Sequence, residues 1–120
     1  MAGNGYQNFN VVPSVVARVK AAATTNITVV KAVPVTVTGY AISNSTATQK
    51  FFKFYDKATA PVLASDTPAW TLVLEPNTRA TFDVPLEFAN GLAYAITNLV
   101  ADTDATAVTA DAVHGFIAYK

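Results

Sequence analysis

Along most of the chain the apolar residues recur at every second position, the spacing of a strand with one buried face and one wet one. Val15, Ala17, Val19 and Ala21 alternate with Ser14, Arg18 and Lys20, and only Val16 is out of phase. Ile27–Lys31 follows a Thr24-Thr25-Asn26 turn, and Val33, Val35 and Val37 then alternate with Pro34, Thr36 and Thr38. At Gly39 the apolar phase slips by one, so that Tyr40 and Ile42 carry it on. A strand keeps one face buried through such a slip only with a bulge or kink, and glycine is the residue that permits one.

Beyond the Asn44–Thr48 turn, Gln49–Asp56 directs Phe52 and Phe54 one way and Phe51, Lys53 and Tyr55 the other. Aromatics on both faces mean either a central strand or a second face covered by another chain. A polar, alanine-rich connection with two prolines, Asp56–Pro68, leads to the clearest strand, in which Trp70, Leu72 and Leu74 alternate with Ala69, Thr71 and Val73. The phase of Trp70 assigns it to the core. Past Glu75-Pro76-Asn77, Ala80, Phe82 and Val84 alternate with Arg79, Thr81 and Asp83, which predicts a half-buried antiparallel hairpin partner. Gly91–Thr97 sets Leu92, Tyr94 and Ile96 against Ala93 and Ala95, and a loop over Asn98–Ala110 precedes a last strand, Ala112–Tyr119.

About seven or eight short strands with Pro, Gly, Asn and Asp between them predict an all-β fold, a single antiparallel β-sandwich of jelly-roll or immunoglobulin-like topology. Residues 14–120 form that domain. Residues 1–13, rich in Gly and Asn, carry no periodic apolar face and read as an extended arm, either a frayed terminus or a docking arm that orders on assembly with Tyr6 and Phe9 as anchors.

Composition narrows the function more than the fold. Of 120 residues 52% are hydrophobic and only 13% charged, which argues against disorder and leaves apolar surface for a partner. Eight basic and eight acidic residues cancel, so direct nucleic-acid binding is not expected. The absence of cysteine removes any thiolate ligand or nucleophile. The first ten residues lack the charge and apolar run of a secretory signal, and Val15–Ala23 is too short and too charged to span a bilayer, so no membrane partner is expected.

Candidate chemistry is sparse. His114 is the one histidine; it lies on the strand face opposite Val113, Ile117 and Tyr119, with no companion for a zinc site. No nucleophile-elbow sequence or glycine-rich phosphate loop is present. Asp102, Asp104 and Asp111 have the spacing of oxygen ligands for calcium, but the loop lacks the central Gly and closing Glu of a helix-flanked calcium loop, and Asp and Thr favour turns in any case. Glu75 and Glu87 offer carboxylates for a glycosidase pair with nothing to fix their separation. No catalytic residue, metal site or cofactor is therefore expected. The aromatic side chains Phe51, Tyr55 and Tyr119 are the candidates for an outer, partner-binding face, since interface centres favour aromatics and disfavour charge.

Four segments, Val19–Thr25 (VKAAATT), Phe54–Asp66 (FYDKATAPVLASD) with Thr67-Pro68, Gly91–Thr97 (GLAYAIT) and Ala101–Val108 (ADTDATAV), resemble in order and spacing a group of small tailed-bacteriophage proteins. The chain departs from that group's pattern at Leu63-Ala64 and at Asn98-Leu99-Val100. The resemblance implies a virion structural protein without enzymatic activity, made in the host cytoplasm and located in the virion. The leading expectation is a homo-oligomeric capsid decoration (cement) protein whose partner is the major capsid protein or another virion protein. The alternatives are a neck, tail or fibre component, or a module that binds host glycans.

Overall fold

The computed structural model describes residues 14–82 and 85–120, which fold without helix into nine strands. They are β1 (Val15–Lys20), β2 (Thr28–Lys31), β3 (Val35–Asn44), β4 (Lys50–Asp56), β5 (Trp70–Leu74), β6 (Thr78–Phe82), β7 (Leu86–Phe88), β8 (Leu92–Thr97) and β9 (Val113–Tyr119). The expected arm, with Tyr6 and Phe9, lies outside the described residues.

Two antiparallel sheets pack as a β-sandwich. Sheet I runs β1-β9-β3-β6, with β7 pairing the other end of β3 beside β6, and sheet II runs β2-β8-β4-β5. Among the described residues β4 and β5 are the one pair of consecutive strands that are hydrogen-bonded neighbours; the other links join strands in opposite sheets, or β6 to β7 along one edge. The hairpin expected across Glu75-Pro76-Asn77 is therefore corrected. β6 pairs β3, with Tyr40 opposite Phe82 and Asn44 opposite Thr78, and the turn carries the chain across the sandwich. Buried Asn44 helps to fix that crossing: its Nδ2 donates to the carbonyls of Thr48, Leu74 and Glu75, while its Oδ1 accepts from Thr46. The short β7 escaped the periodicity because three residues display no period.

The core fills with the alternating residues read from the sequence. Val37, Ile42, Val113 and Ile117 from sheet I meet Phe52, Phe54, Leu92 and Ile96 from sheet II, all fully buried. The phase slip at Gly39 is a register shift between Val37 and Gly39 against β9, which returns Tyr40 to the core. On the β5/β6 side the sandwich is closed by rings: Trp70 meets Phe82 edge-on at 5.4 Å, Phe82 stacks on Tyr40 at 5.6 Å, and Trp70 lies 5.8 Å from Phe54. Such pairs add about 0.5–1.5 kcal/mol each to the burial of their area. The phase of Trp70 thus reported its place correctly. The β1/β2 side, by contrast, leaves Val15, Val16, Ile27, Val29 and Val33 exposed.

Candidate docking surface

The two outer faces of the sandwich differ. On sheet II, Phe51, Lys53 and Tyr55 do point away from the core, as alternation required, but the chain covers them itself. Tyr55 is 1% exposed and clusters with Leu63 from the 57–69 connection and with Ala93 and Ala95 of β8. Those alanines stand directly opposite Tyr55 and Lys53, and their small side chains let the loops lie close to the sheet. Lys57 pairs with Asp66, whose carboxylate also accepts the Val62 N–H at 2.7 Å and so holds the first loop in its turn. Lys53 is fully buried, and its ammonium donates to the carbonyl oxygens of Ala101 at 2.7 Å and Asp104 at 3.3 Å. Burial lowers its pKa, partly offset by Asp104 and Asp102. Phe51 and Tyr55 are thus corrected from an open face to a second layer inside the molecule.

The 98–110 loop shows what its carboxylates do. Asp104 accepts from the Thr106 hydroxyl at 2.6 Å and from the N–H groups of Leu99 and Thr106, a local turn. Asp111 adopts φ of +62° and pairs with Lys20 at 3.2 Å. Two loop carbonyls turn inward on the Lys53 ammonium. Among the described residues no group of three metal-ligating side chains converges.

Among the described residues nothing covers sheet I in this way. The pairings β1–β9, β9–β3 and β3–β6 align its outward side chains in rows. One row reads Lys20, His114, Ser43, Arg79, and the next Arg18, Phe116, Ala41, Thr81. Both arginines of the chain stand on this face. Between them the floor is made of small residues, with the Phe116 ring 40% exposed in the middle. Tyr119, expected on an outer face, is corrected: it shares the inward phase of Val113 and Ile117 and packs on the core, with the Lys31 ammonium 5.7 Å from its ring centre. Phe116, on the opposite phase, is the aromatic that the outward face does present.

His114 Nε2 lies 2.9 Å from Ser45 Oγ. Both groups are exposed, and among the described residues nothing bonds the other ring nitrogen, so the pair lacks the orienting third member of a triad. Nearby is an open cleft of about 430 Å³ lined by Asn44, Ser45, Asn77 and Arg79. At the other end a cleft of about 480 Å³ includes Thr36, Asp56, Glu87 and Lys120. There Asp56 is already committed, accepting the N–H groups of Ala89, Asn90 and Gly91, and these bonds, that of Asn90 foremost, lower its pKa. The carboxylates Glu75 and Glu87 do not form a pair. The Glu75 backbone is tied to Asn44 at one end of β3 and Glu87 faces Thr36 at the other. Eight strand residues separate those positions, roughly 26 Å, against the roughly 5–10 Å of a glycosidase pair.

Compared with protein-family models, curated proteins and solved structures, the chain matches none. Among the described residues no helix is long and apolar enough to cross a membrane.

Proposed function

We propose that the chain is a structural protein of a tailed-bacteriophage virion, and within that class a capsid decoration protein that binds and stabilises the shell. The observation that carries this reading is spatial. The four segments that resemble the phage group lie far apart in sequence and meet in the fold. The carbonyls of Thr25 and Thr24 accept from the N–H groups of Ile96 and Val108, which joins the first segment to the third and fourth. Tyr55 and Leu63 of the second pack on Ala93 and Ala95 of the third. Lys53, beside the second, holds Ala101 and Asp104 of the fourth. The resembling segments thus adjoin one another around sheet II, with Val19 and Lys20 reaching into β1 of sheet I, and this contiguity supports the reading.

The architecture suits the role. With β6 and β7 counted as one interrupted strand, we read the strand order as a jelly roll, two Greek keys rolled together. A part copied many times on a shell needs a rigid body and an open face for its neighbours, and among the described residues sheet I offers one. A glycan platform asks instead for a run of exposed rings, and among the described residues Phe116 is the exposed aromatic.

Quantitative protein analysis of purified particles from a phage that encodes the chain tests the reading. A fixed copy ratio to the shell subunit supports it; absence from the particle refutes it.

A further inference from the structure

We infer that copies of this chain associate back to front, the face of sheet I that no described residue covers in one copy seating on the loop-covered face of sheet II in the next. The two faces lie on opposite sides of the same sandwich and complement each other in two respects. Sheet I presents Phe116 and Val16 among Arg18, Lys20 and Arg79, with Asp111 the carboxylate paired there. The covered face presents Leu99 and Val100, 57% and 58% exposed, next to exposed Asp102, with Val62 on the neighbouring loop. An apolar knob beside a carboxylate thus matches a floor of small residues around the Phe116 ring between two arginines, and arginine is the cation whose planar fork suits a carboxylate.

The knob is rigid enough to be a docking element. Lys53 holds the backbone on its far side, and Asp104 caps the Leu99 N–H. Asp102 itself makes no side-chain hydrogen bond among the described residues and is free to meet a guanidinium. Because the two surfaces differ, the contact is heterologous: it builds a ring or a stack and cannot satisfy itself in a two-fold dimer.

Size sets the strength. Four strands about 4.8 Å apart and about six residues long, at about 3.3 Å each, give a face of roughly 20 by 20 Å. That is about half the area per partner of a standard interface. Free copies therefore associate weakly and reversibly, and repetition on a lattice adds the contacts together. Self-association does not depend on attachment to a shell, so failure of either leaves the other standing.

The experiment is sedimentation equilibrium with light scattering on three proteins: the wild type, the face variant R18E/R79E and the knob variant L99S/D102R. The wild type should show a mass that rises with concentration and falls toward one copy as salt is raised. Each variant alone should be monomeric, with an unchanged circular dichroism spectrum. Mixed in equal amounts, they should recover complexes of two copies or more, because each retains the surface the other has lost. A wild type that stays monomeric to its solubility limit overturns the inference. So does association that survives in either variant alone, or a mixture that remains monomeric while both variants are folded.

Discussion

The Lys53 ammonium lies 2.7 Å from the carbonyl oxygen of Ala101, under a loop that begins beyond the end of β8 and is forty-eight residues away in sequence. A lysine in the middle of a strand thus acts as a covalently attached cation, and the loop's carbonyls gather around it. Lys53→Ala should loosen the loop without unfolding the sandwich. It leaves two carbonyls without their donor and a void on Ala95, at a cost of about 1–3 kcal/mol. Hydrogen exchange should accelerate at residues 98–107 and leave β3 and β9 unaffected.

Tyr55 gives the opposite expectation. Its hydroxyl is buried with no hydrogen-bond partner among the described residues, and burial, reinforced by Asp102 and Asp66, pushes its pKa up to about 12. Tyr55→Phe should therefore stabilise the domain by about 1 kcal/mol at neutral pH, since it removes an unsatisfied polar group and keeps the ring. The folded pKa is raised, so the wild type loses stability as pH climbs from about 10 toward 12, where the unfolded tyrosine ionises first. The Phe variant should lose less over that window. Urea midpoints against pH measure both effects. Tyr55→Asp, in contrast, should unfold the domain.

Much of this was legible in the alternation. The inward and outward sets of β4, the in-phase Trp70 and the bulge at Gly39 all follow from period two. Alternation also places Tyr119 with Val113 and Ile117, so its inward position was readable; choosing it for an outer face weighed aromatic character above phase. The local pattern could not show which strands pair. The β5-to-β6 crossing, and the rows that bring Arg18 and Arg79 onto one face, depend on contacts between β1, β9, β3 and β6. Burial of Lys53 and Tyr55 was hidden for a related reason. Their cover comes from loops whose sequence carries no period, and Leu63, where the chain departs from the phage group's pattern, is part of that cover.

Gly115 occupies a position that tolerates no side chain. Its φ is +146°, and a Cβ there would collide with the carbonyl oxygen of Ala41 on the neighbouring strand. Gly115→Ala should force β9 away from β3 and cost roughly 1–3 kcal/mol or more. A thermal melt lowered by less than about 4 °C would show that the strand pair adjusts more readily than this geometry allows.

Asp56 links the end of β4 to the backbone ahead of β8, and its N–H partners depress its pKa in the folded state. Its stabilising contribution is therefore present above the unfolded value near pH 4 and is lost as pH falls through the folded one. Asp56→Asn should lower stability at neutral pH and flatten the acid limb. Urea midpoints that run parallel for the two proteins from neutral pH down through pH 4 would count against that role.

Attachment to a virion shell can be reconstituted. Purified chain is titrated onto phage capsids assembled without it, and the shells are sedimented. Saturable binding at a fixed number of copies per shell subunit is expected. If the chain stays in the supernatant at every ratio while folded, decoration is contradicted, and the role moves to the neck, tail or fibre, or out of the particle altogether.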